Sequence, residues 1–228
     1  MTDEKFFMEE ERVLIRSESD GVVSLPSSPW EAVPLDEISG QPGEQKCVAG
    51  GQMFQQSATQ LVSFGGFVQE TKQCEPELRV LMVSQVGHYV SGWKRVQTKG
   101  ASPHARANFG AAVAHGKLYV HGGSSDAYHG DMVVYNFEMG VWSKFRDETA
   151  AHGPGAVMSH TLSYHAGRLY SFGGVKGSTG KSSSELWSIA VDKPDNGWVK
   201  HADAPTSRSD HSALVWNNTL NVFFGTDG

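Results

Sequence analysis

Cysteine is scarce in this chain. Cys47 and Cys74 are its only two, and they stand apart rather than in a C-x-x-C pair. Both read as ordinary thiols in a reducing compartment, Cys47 buried and Cys74 in a loop. Long apolar runs are missing too. The start, MTDEKFFMEEERVLIRSESDG, lacks the basic residues and apolar run of a secretory signal, and no stretch nears the roughly 18 apolar residues of a membrane span. The expected location is the cytoplasm or the nucleus, so Asn217-Asn218-Thr219 reads as a tight turn rather than a glycosylation site. No basic stripe exists, which removes the electrostatic footprint of a nucleic-acid binder. The formal charge is -6, and residues 1–20 alone hold seven acids against three bases. Helical stripes are absent apart from a weak one at residues 3–16.

Glycine and short apolar runs are what the chain has. It carries 26 glycines with 39% hydrophobic residues, a globular composition able to bury a core. KLYVHGG at Lys117 to Gly123 returns 51 residues later as RLYSFGG at Arg168 to Gly174. The same shift carries Pro103 onto Pro154 and Pro205, Leu118 onto Leu169 and Leu220, and Gly123 onto Gly174 and Gly225. A looser copy ends at Gly65-Gly66, 57 residues before Gly122-Gly123. Such a period signals a repeat architecture.

Each unit predicts a hairpin followed by two outer strands. His115-Gly116, Ala166-Gly167 and Asn217-Asn218 occupy the tight turn, where positive φ is needed. DMVVYNFEMGVW and SSELWSIAVDKPDNGW then predict a third strand, a turn at Gly140 or Asn196-Gly197, and a fourth strand near Trp142 or Trp198. Trp93 fills that slot in the first unit, and Trp30 precedes Pro42 by the twelve residues that separate Trp142 from Pro154. A four-stranded unit with two apolar faces cannot stand alone. Stacking such units about an axis makes the blades of a β-propeller. The glycine doublet costs roughly 1–2 kcal/mol relative to alanine, so its recurrence points to positive φ or close backbone approach.

The doublets, Tyr135 in VVYNF, Trp142 seven residues later and the period near 50 together resemble kelch repeats. The resemblance covers residues 29–228, with units ending near Gly66, Gly123, Gly174 and Gly225, behind an acidic flexible segment at 1–28. It implies an all-β, kelch-type β-propeller of about four blade units, the last incomplete, since it stops after its second strand with Phe224-Gly225 in place of Gly-Gly. Gly65, Gly66, Gly122, Gly123, Gly173, Gly174, Gly225, Tyr135, Trp30, Trp93, Trp142 and Trp198 are its structural signature. The preferred reading is a partial propeller; the other is a four-bladed ring closed by strands from residues 12–33. An open end would expose apolar faces and unpaired edges that promote self-association.

The resemblance implies a non-catalytic protein-interaction platform with no cofactor or metal, binding an unidentified protein partner through the loops Phe67 to Pro76, Ser124 to Gly130 and Val175 to Ser184. Tyr128, His129, Lys176 and Lys181 are the candidate contacts. The alternative is a metal-dependent or sugar-modifying enzyme on the same fold. Against it, no G-x-S-x-G elbow or paired-carboxylate constellation appears, and the E-x-x-x-D-x-x-x-H pattern of iron-dependent specifier proteins is absent. His115, His121 and His129 lack a third ligand type at fixed spacing, so a metal site is disfavoured. Gly180-Lys181-Ser182 mimics a P-loop, yet Gly174 and Gly177 precede Gly180 by the wrong spacings and strand, not helix, is expected next; a flexible loop is the reading. Arg208-Ser209-Asp210-His211 matches an Arg-x-x-His pair found in many kelch units and is expected to anchor the inner strand by hydrogen bonds.

Overall fold

The predicted tight turns all form. His115 and Gly116 have φ of 49° and 68°, Ala166 and Gly167 45° and 79°, and Asn217 and Asn218 50° and 58°. Two successive left-handed residues match the right-handed twist of the flanking strands. The computed structural model describes residues 48–82, 93–145 and 152–227, all within the unit Ser39–Gly228. Trp30, Cys47, the acidic segment at 1–28 and the weak helical stripe lie outside the described residues.

Four antiparallel sheets follow one another along the chain. Blade 1 contains β1 (Gln52–Ser57), β2 (Gln60–Phe64), β3 (Leu78–Met82) and β4 (Lys94–Arg95). Blade 2 contains β5 (Gly110–Ala114), β6 (Lys117–His121), β7 (Met132–Asn136) and β8 (Val141–Lys144). Blade 3 contains β9 (Thr161–His165), β10 (Arg168–Phe172), β11 (Leu186–Ala190) and β12 (Val199–Lys200). Among the described residues, blade 4 holds only β13 (Ser212–Trp216) and β14 (Thr219–Phe223). The first strands neighbour one another in the order β1, β5, β9, β13, so the blades stack side by side. This is the all-β, kelch-type architecture read from the sequence.

Pairing aligns the third strands of the blades. Leu61 lies opposite Leu81, Leu118 opposite Tyr135 and Leu169 opposite Ile189. Ile189, fully buried, therefore replaces the tyrosine in blade 3. Trp93 and Trp198 each directly precede a two-residue outer strand, whereas Trp142 lies inside β8. One strand has no sequence signal: Lys99–Gly100 adds a fifth, parallel strand beside β8. Cys74, expected in a loop, instead closes a short strand paired with Phe67. Likewise the stretch expected to be a flexible loop, Gly174 to Ser184, folds back as a hairpin, with Val175 bridged to Ser182 and the Gly180 N–H donating to the Lys176 carbonyl at 2.7 Å.

The glycine doublets turn the chain at each junction. The second glycine donates its N–H across to the next blade: Gly66 to the Arg106 carbonyl at 2.9 Å, Gly123 to Val157 at 2.8 Å and Gly174 to Arg208 at 2.7 Å. The first glycine, at φ of 64° to 67°, closes the corner within its own blade by donating to the carbonyl of Glu77, Asp131 or Glu185. A second ladder runs between the entries to the first strands. Asn108 donates to the Gly50 carbonyl, Ser159 to that of Asn108, and Asp210 to that of Ser159, at 2.7 to 3.0 Å.

Side chains fill the junctions in matching columns. Between blades 1 and 2, Phe64 meets the Phe109 ring at 5.4 Å and Trp142 at 5.0 Å. Between blades 2 and 3, His121 meets His160 at 5.0 Å and Trp198 at 5.3 Å. Between blades 3 and 4, Phe172 meets His211 at 5.2 Å. Apolar residues extend these contacts: Leu118, Val120, Val133 and Tyr135 pack toward blade 1, while Ala112, Ala114, Tyr119 and Met132 pack with Leu162, Leu169 and Ile189 of blade 3.

Crowding at the corner separates two glycines of one blade. A Cβ on Gly173 would stand 2.5 Å from the Arg208 carbonyl of the next blade, whereas one on Gly167 meets nothing within 4 Å. Both have positive φ. Gly167→Ala should then cost about 1 kcal/mol of backbone strain, and Gly173→Ala roughly 3 kcal/mol or more because a backbone carbonyl must move. Urea denaturation of the two variants measures the difference; equal costs would contradict the crowded corner.

Candidate interaction face

The three loops that follow the doublets emerge side by side. The Cys74 thiol donates to the Ser124 carbonyl at 3.7 Å, joining the first loop to the second. A Cβ on Gly177 would stand 2.9 Å from Cβ of Tyr128, so the third loop packs on the second. Gly177 also donates its N–H to the Ala156 carbonyl at 2.8 Å.

Beneath the second loop lies a buried arginine. Arg106 has no exposed surface; its guanidinium donates to both oxygens of Asp131 at 2.8 and 2.9 Å, to the Gly122 carbonyl at 2.9 Å and to the His104 carbonyl at 3.1 Å. Burial raises the Asp131 pKa, but hydrogen bonds and charge from Arg106 outweigh it and hold the carboxyl below its usual range. Arg208 repeats the contact, donating to the Phe224 carbonyl at 2.8 Å, while His211 shares a 2.9 Å hydrogen bond with Thr161. The expected anchoring by the Arg-x-x-His pair thus has a defined geometry.

The acids before the third strands form a series that the sequence already contained: Glu77, Asp131 and Glu185 recur every 54 residues. Each takes a cation. Glu77 pairs with Arg79 at 2.7 Å, Asp131 with Arg106, and Glu185 with Lys176 at 2.5 Å and Lys200 at 3.1 Å. Burial opposes ionisation of Glu185, yet hydrogen bonds from Lys176, Trp187 and Lys200 pull its pKa down to about 2.

The four candidate contacts separate into two kinds. Tyr128 is 37% exposed and Lys181 is exposed on the third loop. Lys176 is committed: besides Glu185, its ammonium donates to the Pro154 carbonyl at 2.5 Å. His129 is half-buried, bonded to Ser125 at 3.0 Å and stacked on His104 at 6.0 Å. Burial, followed by the Arg106 charge, lowers its pKa. Over the loop end of blade 3 lies a groove of about 560 Å³, lined by Pro154, Gly155 and Ala156 of the entry to that blade, by Lys176, Ser178, Thr179, Ser182, Ser183, Ser184 and Glu185, and by Asp203 and Ser207.

The histidines considered for a metal are not brought together. His115 bonds the Tyr164 hydroxyl at 2.6 Å, and His121 turns away from His129 into the junction floor. There His121 Nδ1 lies 3.0 Å from His160 Nε2, and both rings are buried. The outer nitrogens, His121 Nε2 and His160 Nδ1, have no hydrogen-bond partner. One proton lies between the two facing nitrogens, so one ring donates and the other accepts. Burial first, then the Arg106 and Lys176 charges against the opposing pull of Asp131, lowers the His121 pKa to about 4. His160 is lowered by burial, then by His121, His211 and Lys176.

A folded-state pKa below the unfolded value means that unfolding takes up protons. The stabilisation is present above the unfolded pKa near 6.5 and falls as pH drops toward 4. Between pH 7 and pH 5 the loss is roughly 2 kcal/mol for His121 alone. The double variant His121→Phe, His160→Phe imitates Phe64 and Phe109 at the preceding junction. Urea titrations should show the wild type losing more stability over that interval than the variant by at least this amount; parallel losses would contradict a neutral buried pair.

Comparison with known proteins agrees with this geometry. Residues 24–174 match the family described as the KLHDC2/KLHL20/DRC7 Kelch-repeats domain. Acyl-CoA-binding domain-containing protein 4 of Arabidopsis thaliana is 27% identical over 94% of this chain and 33% of its own length. The Leucine-zipper-like transcriptional regulator 1 homolog of Drosophila melanogaster is 27% identical over 59% of this chain and 14% of its own length. The chain thus spans a third or less of these relatives. The matched segment includes three of the four glycine corners, and the structure continues the same hydrogen bonds past its end, at Arg208 and Asp210. The chain belongs to the kelch-repeat family.

Proposed function

We propose that the chain is a non-catalytic protein-binding platform whose partner docks on the three loops that follow the glycine corners. A kelch-repeat domain supports a protein-interaction role in general terms. The observation that carries the finer reading is the pairing of a rigid floor with exposed tips. Arg106, Asp131, Glu185 and Lys176 spend their charges on one another and on backbone, whereas Tyr128 and Lys181 are exposed on the second and third loops. Recognition residues on loops held by a stiff scaffold lose little entropy on binding. An exposed aromatic ring and an exposed lysine suit a polar or acidic segment of a partner protein.

The acyl-CoA ligand and the transcriptional regulation named for the two relatives belong to much longer proteins and supply no argument about these loops. The test is a quantitative affinity capture comparing wild type with Tyr128→Ala, Lys181→Glu and with Glu138→Arg on the turn at the other end of blade 2. The loop variant should lose its specific partners by more than about tenfold while the turn variant keeps them. A partner set unchanged by the loop variant would overturn the reading.

A further inference from the structure

Blade 3 keeps the acceptors that Arg106 fills in blade 2, but not the arginine. At the 51-residue shift Arg106 becomes Val157 and His104 becomes Gly155, while the acid column passes from Asp131 to Glu185. Val157 is buried and has no side-chain donor to offer. Among the described residues no side chain donates to the Gly173 carbonyl, although Arg106 and Arg208 each reach its counterpart, at Gly122 and at Phe224. Over this place lies the groove of about 560 Å³, bounded by Gly155, Lys176 and Glu185 among others. A Cβ on Gly155 would meet nothing within 4 Å.

Lys176 stands in for the arginine. Its ammonium reaches Glu185 and the Pro154 carbonyl, each at 2.5 Å, from a loop rather than from the entry to the first strand. The fit is looser: the Arg106 side chain has no exposed surface, whereas that of Lys176 keeps 19%. An ammonium is a point charge on a flexible stem and cannot make the two-pronged contact of a guanidinium with a carboxylate. Trp187 holds Oε2 of Glu185 and Lys200 holds Oε1, at 3.0 and 3.1 Å. With Lys176 turned away, each oxygen keeps a lone pair for one further donor.

We propose that this groove binds an arginine side chain presented by a polar segment of a partner protein, whose guanidinium displaces Lys176 and forks onto Glu185 as Arg106 does onto Asp131. The source of the arginine rests on the platform reading; the preference for a guanidinium rests on the repeat. One cation replaces another, so the charge around Glu185 is unchanged once Lys176 turns to solvent. Gly155, whose carbonyl corresponds to the His104 carbonyl that Arg106 also uses, lines the groove and supplies a further acceptor. Ser178, Thr179 and Ser184 on the groove wall offer hydroxyls to the main chain of the segment.

The test is an NMR titration of the full chain with the blocked peptide acetyl-Gly-Arg-Gly-amide. The amides of Ala156, Lys176 and Ser184 should shift saturably, and the same peptide with citrulline or lysine for arginine should bind at least about tenfold more weakly. Glu185→Gln should weaken binding more than about tenfold, while Lys176→Met, which removes the competing cation, should tighten it about threefold or more. Both substitutions break the same ion pair, so a loop that is merely loosened would move the two in the same direction, and that result would overturn the proposal. Val157→Arg, which builds the blade 2 arrangement into blade 3, should abolish the shifts. Equal binding of the citrulline peptide, or no saturable shift, would also overturn it, and free arginine binding more tightly than the peptide would overturn the assignment to a partner protein. The titration contains no partner, so a failed platform reading would leave these shifts in place, and their absence would leave the reading on Tyr128 and Lys181 standing.

Discussion

One backbone hydrogen bond per junction organises this molecule: the N–H of the second corner glycine, given to a carbonyl of the next blade. For that bond to form, the strand must stop and reverse its backbone hand within two residues while another blade's carbonyl stands where a side chain would begin. Only glycine meets both conditions at once. The doublet is thus the cause of the stacking distance, and the apolar columns are sized to that distance. With three such bonds and the second ladder through Asn108, Ser159 and Asp210, each blade is tied to its neighbour at least twice by backbone alone.

Within that frame the side chains vary. One junction is filled by Phe64, Phe109 and Trp142, the next by His121, His160 and Trp198, and the third by Phe172 and His211. The histidine pair keeps the volume and edge-to-face geometry of the phenylalanine pair but adds a ring-to-ring hydrogen bond, and burial disfavours charge on it. Above it, Arg106 and Lys176 bind carboxylates at the loop bases, which leaves the loop tips as the variable part of the face. Stability thus resides in the corners and their columns, and the proposed recognition in residues that the corners merely hold in place.

Much of this was legible in the residues. The doublets, the turns at His115-Gly116, Ala166-Gly167 and Asn217-Asn218, and the hairpin grammar were readable because positive φ selects few residue types and repeats them. The third-strand column was harder to read, because the loop before β11 lengthens the local interval to 54 residues and moves Ile189 into the tyrosine position. The Lys99–Gly100 strand is too short for any periodicity. The His121–His160 contact depends on which blade faces meet, and spacing along the chain does not encode that. Lys176 looked like a free contact residue because its partner Glu185 lies across a hairpin whose fold depends on Val175 bridging Ser182.

Amide hydrogen exchange at the corners tests the central claim most directly. If the glycine bonds hold the blades together, the amides of Gly66, Gly123 and Gly174 should exchange as slowly as those in the middle of β6 and β10, through the same global opening, although they sit at the base of exposed loops. Exchange of those three amides at the rate of the loop tips, with β6 and β10 still protected, would show that the corners open independently and that the side-chain columns alone keep the blades stacked.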